Sequence, residues 1–414
     1  MSVNSEIRTT SRYGNPAERL AGWFVRHLLP TLEYGHLTVV TPSGERIEHR
    51  AANPDINATL VLHRWRAIWR LVTHGDIGFA ESYIDGDWST PDLTALIGLV
   101  ARNVEQLGRK TSGVLPVRTL NRLRHLSKSN TKAGSRHNIA FHYDLGNAFY
   151  RLWLDDTMTY SAALYEREGE TLEDARDAAL NRIVDLLELR GDERILEIGC
   201  GWGALAARLA RRAAHVTGVT LSSEQLAYAR RRISGEGLDD KVLLALRDYR
   251  DVTGCYDRIV SIEMLEAVGE AYWPLYFRTL RDRLTPAGKA VLQVISIDEK
   301  LFEGYRRSAD FIQRYIFPGG MLPSKTVIAE QAEAAGLTLE PVGTFGDGYA
   351  RTLVEWRQRF LASWPKIEAT MGFPSRFRRL WEYYLCYCEA GFRCGTIDVG
   401  LYVLSRAPEN CVQG

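Results

Sequence analysis

No stretch of the 414-residue chain approaches the eighteen or so consecutive apolar residues of a membrane span, so no transmembrane helix is expected. The opening residues, Met1 to Tyr13, are polar and lack the apolar core of a signal peptide. Charge of neither sign is in excess. With 52 Lys and Arg against 51 Asp and Glu, the formal net charge is +1, and no overall field draws the chain to a polyanion. Cysteine is sparse, six in all, with three bunched at Cys386, Cys388 and Cys394. That bunch has no second half at zinc-ligand spacing and falls in an aromatic, helical stretch, so it reads as buried free thiols and no metal site is expected. These absences point to a cytosolic protein, and its length leaves room for two domains.

What is present centres on Arg194-Ile-Leu-Glu-Ile-Gly-Cys-Gly-Trp-Gly-Ala204. Ile195, Leu196 and Ile198 predict a short buried strand, with Glu197 near its end. Gly199, Gly201 and Gly203 predict a tight turn into a helix beginning at Ala204, since glycine lets the backbone turn sharply and approach a ligand closely. A second strand, His215 to Val219, follows at the βαβ distance. The third glycine comes two residues after the second, so the pyrophosphate fingerprint of a dinucleotide site is not met. A nucleoside without a phosphate chain fits better, and S-adenosylmethionine is the expected ligand. The second strand also lacks the acidic residue that commonly holds ribose hydroxyls. In its place stand Thr220, Leu221, Ser222 and Gln225, which leaves Glu197 to hold the sugar or a nearby water. Asp248, after the third strand and beside Tyr249, is placed to accept an adenine amino group; the alternative is a surface carboxylate.

Ahead of this core, residues 16 to 102 are self-contained. Leu37 to Val40 and Glu45 to His49 flank Pro42-Ser-Gly44 as a hairpin, and Gly75-Asp76 and Asp85-Gly86-Asp87 read as turns. Residues 109 to 136 then carry eight Lys/Arg and no Asp/Glu, with Val117, Leu120, Leu123 and Leu126 recurring every three residues. A basic amphipathic segment in a chain of balanced charge suits an anionic membrane surface; a solvated linker is the plainer reading. No nucleic-acid-binding module accompanies it, so nucleic acid is not expected as a partner. Three parts result: a positioning domain at 1–108, a basic linker at 109–136 and an S-adenosylmethionine-binding domain at 137–414.

Within the last part, His137 to Tyr150 and Met158-Thr-Tyr-Ser-Ala162 are dense in aromatics and suggest a lid. Arg258 to Ile262 reads as the fourth strand, running into Glu263-Met-Leu-Glu-Ala-Val-Gly269 as a loop beside the reacting methyl. Lys289 to Ser296 is another strand, and Ala309 to Pro318 is an aromatic stretch. Strands alternating with helices predict an α/β, doubly wound sheet with a helical lid and a smaller N-terminal α+β domain.

From His137 to about Val403 the chain resembles the cyclopropane-fatty-acyl-phospholipid synthase family of S-adenosylmethionine-dependent methyltransferases. The resemblance is carried by His142-Tyr-Asp-Leu-Gly-Asn147, Met158-Thr-Tyr-Ser161, Glu197 to Gly203, and Thr220-Leu-Ser222 with Gln225. It continues through Asp248-Tyr-Arg250, Tyr315-Ile-Phe-Pro-Gly-Gly320, Leu322-Pro-Ser324 and Gly348-Tyr349. Residues 16 to 102 look, more loosely, like the additional domain of phospholipid-acting members. The resemblance implies a class I methyltransferase fold, with Tyr160 and Ser161 joining the cofactor contacts. It also implies methyl transfer to a cis double bond of an acyl chain, giving a carbocation that needs aromatic faces and a dry pocket. His142, Tyr143, Phe149, Phe311, Tyr315 and Phe317 are the pocket candidates, although aromatics at such spacings are also ordinary core. Loss of a proton from the new methyl closes a cyclopropane; a hydride shift and loss elsewhere give a methylene or methyl branch.

Family cyclopropane formers hold a bicarbonate ion as the base with a Cys, a Glu, a His and a Tyr. The Glu matches Glu266 and the Tyr matches Tyr349, but the Cys position is Ala162 and the His position is Gln293. The residue before Met264 is a second acid, Glu263. Two readings stand for it: Glu263 supplies the carboxylate that bicarbonate supplies elsewhere, or it caps a helix or holds S-adenosylmethionine. Two carboxyls three residues apart near an apolar pocket should push one of their pKa values up. Unsaturated membrane phospholipid is the expected substrate and partner, met peripherally at the inner membrane surface through residues 109–136; a homodimer stays open. The alternatives are a methyltransferase of a small soluble substrate and a non-catalytic lipid-binding relative. The lipid reading predicts activity that requires vesicles and falls as salt rises; salt-insensitive activity without vesicles would favour the soluble substrate.

Overall fold

The computed structural model describes residues 16–103 and 145–407. The chain divides into two compact units, Met1–Val117 and Arg118–Gly414. The boundaries expected at 108/109 and 136/137, the basic segment, His142 and Tyr143 all lie outside the described residues.

In the first unit a helix, Pro16–Leu28, precedes a four-stranded sheet of order β2-β1-β3-β4. Its strands are β1 (Tyr34–Val40), β2 (Arg46–Arg50), β3 (Asn53–Leu62) and β4 (Trp88–Ser89). The hairpin expected around Pro42-Ser-Gly44 is β1 against β2, in register from His36 opposite Arg50 to Val40 opposite Arg46. Gly75, in an expected turn, separates two helices that together span Arg66–Ile84. It sits at φ 64° and ψ −143° at the kink between them, a conformation open to glycine because it has no Cβ. After that span Asp87 is fully buried, and Arg66 donates to both of its oxygens at 2.8 Å. That paired arrangement offsets the cost of burying the charge.

The second unit is built on a seven-stranded sheet of order β10-β11-β9-β8-β5-β6-β7. Here β5 is Arg194–Ile198, β6 His215–Thr220, β7 Val242–Leu246, β8 Tyr256–Ile262, β9 Leu284–Ile297, β10 Leu337–Thr344 and β11 Ile397–Arg406. Residues 195 to 198 of β5 are buried without a break, the pattern of a parallel strand covered on both faces. Alternate residues serve two cores. Leu196, Ile198, Ile259 and Leu292 face the helices Trp273–Arg283 and Lys325–Ala334. Ile195, Val216, Val260 and Val291 face Leu172–Leu186, Ala204–Ala210 and Ser223–Gly235.

The doubly wound expectation needs one refinement, for β11 runs antiparallel to both β9 and β10. Its chain arrives from the long helices Gly346–Met371 and Ser375–Arg393 and enters the sheet between those strands. β9 also starts five residues before the expected Lys289, taking Pro286-Ala-Gly288 into the strand. The expected loop after β8 contains one helical turn, Leu265–Val268. Strand order reverses at β5, with β6 to one side and β8 to the other. The carboxyl ends of β5 and β8 therefore flank the switch point where open α/β sheets bind ligands.

Phe149 lies fully buried at the hub of an aromatic cluster, with ring centroids of Trp381, Tyr150, Phe377, Trp153 and Phe360 at 5.0 to 6.3 Å. The structure therefore gives Phe149 a packing position between the two C-terminal helices. Phe149→Ala should lower unfolding stability by about 3–5 kcal/mol, read by denaturant titration, while leaving S-adenosylmethionine affinity in the folded fraction unchanged.

Candidate active site

The glycine turn is tied to its neighbour strand, since the Gly199 and Cys200 N–H groups donate to the Val219 carbonyl at 2.9 and 3.0 Å. Gly199, Gly201 and Gly203 all adopt positive φ, at 86°, 50° and 84°. A Cβ at Gly199 would lie 2.6 Å from the Met264 sulfur, and one at Gly203 3.0 Å from the Ala229 Cβ. The turn thus needs glycine both for its dihedrals and for its clearance. At the end of β6, the Thr220 hydroxyl donates to Gln225 Oε1 at 2.9 Å, and Ser222 caps the helix Ser223–Gly235 by accepting from Gln225 N–H at 3.2 Å. Leu221 is half-buried between them.

Glu197 is buried, with its Oε2 unpartnered, and burial pushes its pKa up to about 8. Asp248 is also buried; Arg250 Nε donates to its Oδ1 at 2.8 Å and Nη2 to its Oδ2 at 2.6 Å. Oδ1 also accepts from the Arg250 backbone N–H at 3.0 Å, which fixes the carboxylate in place. Tyr249 is buried edge-on to Tyr276, its hydroxyl without a hydrogen bond and its pKa raised by burial. An unpartnered buried carboxyl oxygen beside a glycine turn with no room for side chains fits the ribose end of a nucleoside.

The second centre is Glu263, at the carboxyl end of β8. It is a non-glycine residue at φ 52°, a strained conformation that the surroundings must hold. Its own N–H donates to the Gln293 carbonyl at 2.8 Å. Its Oε1 accepts from the Ser161 hydroxyl at 2.7 Å, the Ala162 N–H at 2.9 Å and Gln293 Nε2 at 2.7 Å. Its Oε2 accepts from the Tyr349 hydroxyl at 2.8 Å. Gln293 Nε2 also donates to the Ser161 oxygen at 2.8 Å. Helix capping is not Glu263's role, because the turn Leu265–Val268 has no side-chain cap. Tyr349 and Gln293, two positions assigned by resemblance to a bicarbonate site, both spend their donors on this carboxylate. Ala162, at the Cys position, contributes its backbone.

Glu266 stands apart from this cradle. Its Oε1 accepts from the Ile295 N–H, its Oε2 is buried without a partner, and burial followed by the Glu263 charge pushes its pKa up to about 8. The rise expected for one of the two carboxyls falls on Glu266. Burial and the Glu263 charge likewise raise the Tyr349 phenol, so it stays a donor.

The remaining aromatics pack on one another and on the helix Ser375–Arg393. Phe311 lies against Tyr383 at 4.8 Å and Tyr315 at 5.4 Å, and Phe317 against Tyr384 at 6.5 Å. The Tyr384 hydroxyl is 2.6 Å from that of Tyr160. Tyr384 escaped the sequence reading, as did Asp155 and Arg176, which lie behind Ser161. Tyr384 is 224 residues from the Tyr160 it meets, and Arg176 acts on carbonyls 14 and 15 residues before it, spacings that match no local pattern. Cys386 is buried, whereas Cys388 and Cys394 are only half-buried. No metal-ligand cluster occurs among the described residues.

The mycolic acid cyclopropane synthetase family model matches residues 130–401. The chain belongs to that family. It is 39% identical to the tuberculostearic acid methyltransferase UfaA1 of Mycobacterium tuberculosis, over 84% of this chain and 83% of that protein. It is 36% identical to the cyclopropane-fatty-acyl-phospholipid synthase of Escherichia coli, over 82% and 86%. Among solved structures it resembles the mycolic acid cyclopropane synthase CmaA1 complexed with SAH and CTAB. That likeness has a TM-score of 0.61 at 29% identity and covers 66% of this chain and 98% of that one. The protein is thus an S-adenosylmethionine-dependent C-methyltransferase of lipid acyl chains, acting by cyclopropanation or methyl branching. No helix among the described residues is long and apolar enough to cross a membrane.

Hydroxyl donors and a sulfonium charge brought near Glu197 both favour its ionised form. S-adenosylmethionine binding should therefore release a proton below about pH 8, with affinity rising as pH approaches that value. Calorimetry in buffers of different ionisation enthalpy measures the proton, and Glu197→Gln should abolish its release and weaken binding about tenfold. Proton uptake would contradict this assignment.

Proposed function

We propose that this family member methylates a cis double bond in an acyl chain of membrane phospholipid, and that Glu263 takes the proton the reaction must lose. The observation that carries the reading is the Glu263 carboxylate, held by four donors from three distant segments. The phospholipid assignment is supported by the relative in Escherichia coli whose match spans both units, and by the basic segment 109–136 as the contact with the inner membrane surface.

S-adenosylmethionine supplies an electrophilic methyl group. Addition to the double bond leaves a cation on the neighbouring chain carbon, and Tyr160, Phe311, Tyr315 and Phe317 offer aromatic faces to it. Three donors already meet Glu263 Oε1, whereas Oε2 takes only the Tyr349 hydroxyl and keeps a lone pair. Oε2 is therefore the destination of the proton. Glu266, its pKa pushed up to about 8 by burial, adds no full second charge beside Glu263 at neutral pH. Proton loss from the added methyl gives a cyclopropane; after a hydride shift it gives a methylene branch, and a saturated methyl branch then requires a separate reductant. In every case the products of this step are S-adenosylhomocysteine, the methylated chain and a protonated Glu263 that returns its proton to water.

Glu263→Gln keeps the size of the side chain and removes the base. Turnover of methyl-labelled S-adenosylmethionine with vesicles of monounsaturated phospholipid should fall by at least about 100-fold, with cofactor affinity within about twofold. Mass spectrometry of the released chains should show a gain of one CH2 in the wild type, and resistance to hydrogenation separates ring from methylene. Unchanged turnover of the variant without added bicarbonate would overturn the role of Glu263. Binding of the cofactor with no label in lipid would overturn the substrate.

A further inference from the structure

Behind the Glu263 cradle lies a charge that the proposed reaction does not use. Arg176, on the helix Leu172–Leu186, has a side chain only 1% exposed. A guanidinium does not lose its proton under ordinary conditions, so this is a buried cation, and burying one is costly unless it does something specific. Its salt-bridge partner, Asp155, is equally buried but holds it loosely, with Nε 3.6 Å from Oδ1; Nε and Nη2 make no hydrogen bond. The close bonds run elsewhere. Nη1 donates to the Ser161 carbonyl at 2.7 Å and to the Ala162 carbonyl at 2.8 Å.

The Ser161 carbonyl and the Ala162 N–H are the two ends of one peptide group. One end accepts from Arg176 at 2.7 Å, and the other donates to Glu263 Oε1 at 2.9 Å. A cation, a peptide and a carboxylate are thereby joined in line, an arrangement in which each hydrogen bond polarises the next. The following peptide is anchored as well: the Ala162 carbonyl accepts from Arg176, and the Ala163 N–H donates to Thr352 Oγ1 at 3.1 Å. The Ser161 hydroxyl, another donor to Glu263, sits on this same clamped backbone.

We propose that Arg176 is a positioning residue for methyl transfer, which through the Ser161–Ala162 peptide sets the donors of the cradle and favours the ionised form of Glu263. The inference rests on the reading of Glu263 as proton acceptor. Other titratable groups share the setting. Glu266, Tyr349 and Cys388 interact with Glu263, and Asp155, Tyr165 and Tyr349 interact with Arg176. Among these, Arg176 is the cation, and it reaches Glu263 through a hydrogen-bonded path.

The test follows the Glu263 carboxyl itself. In enzyme labelled with 13C at the glutamate Cδ, the Glu263 resonance is identified by its loss in Glu263→Gln and titrated in each variant. Arg176→Met should move the midpoint of that resonance up by about one pH unit, a tenfold change in its ionisation. The acid limb of the kcat profile should move with it, and KM for S-adenosylmethionine should stay within about twofold. Arg176→Lys, which keeps the charge, should return the midpoint most of the way. Asp155→Asn removes the opposing charge and should move the midpoint down. This opposite sign is what a merely structural role would not produce, and it decides the matter even if Arg176→Met fails to fold. A midpoint unmoved in these variants, or moved in the same direction by Arg176→Lys and Asp155→Asn, overturns the proposal. Full turnover by Glu263→Gln would instead remove the reading of Glu263 as base, while the titration still decides whether Arg176 controls its ionisation.

Discussion

A carboxylate drawn partly out of water is tolerated only where donors replace the water it loses. Glu263 meets that condition with a hydroxyl and an amide N–H from the 161–162 segment, a side-chain amide from β9 and a phenol from the helix Gly346–Met371. These segments are far apart in the chain, and each must be held in place for the charge to be held. The sheet holds Gln293, because β9 lies beside β8 with Ile262 opposite Gln293. The helix Gly346–Met371 holds Tyr349, whose ring stacks on Phe392 of its helical partner at 4.6 Å. Arg176 holds the third segment by its carbonyls.

The same constraint explains why two neighbouring acids differ. Glu263 and Glu266 are three residues apart, yet one receives four donors while the other receives a backbone N–H on a single oxygen. Placing two charges there would add mutual repulsion to the cost of desolvation. The arrangement gives one carboxyl the donors and leaves the other to burial, which pushes its pKa up to about 8. Glu197 follows the second pattern near the end of β5, where burial leaves one carboxyl oxygen without a partner and pushes the pKa up to about 8.

Much of the fold was legible because its signals are local. The unbroken burial of residues 195 to 198, the positive-φ glycines at 199, 201 and 203, and the hairpin around Pro42-Ser-Gly44 each depend on a few consecutive residues. Where a local signal competed with tertiary packing, packing decided. Pro286-Ala-Gly288, expected as the entry to a strand, lies within β9. The reversal of β11 depends on where a helical pair of more than forty residues delivers the chain, and no short pattern encodes that.

The sequence by itself determined the strands β5 to β8, the glycine turn and the family, and it singled out Glu263, Glu266, Tyr349, Ala162 and Gln293. It left open whether Glu263 capped a helix, touched the cofactor or stood where an anion stands in relatives. Only the tertiary structure decided that four donors converge on it, that Glu266 is the carboxyl whose pKa burial raises, and that Arg176 lies behind the peptide between Ser161 and Ala162. The reason is physical. Turn and strand formation are governed by neighbours in the chain, whereas the state of a buried charge is governed by whichever groups meet it in space, here from positions 102 residues before it to 86 residues after it.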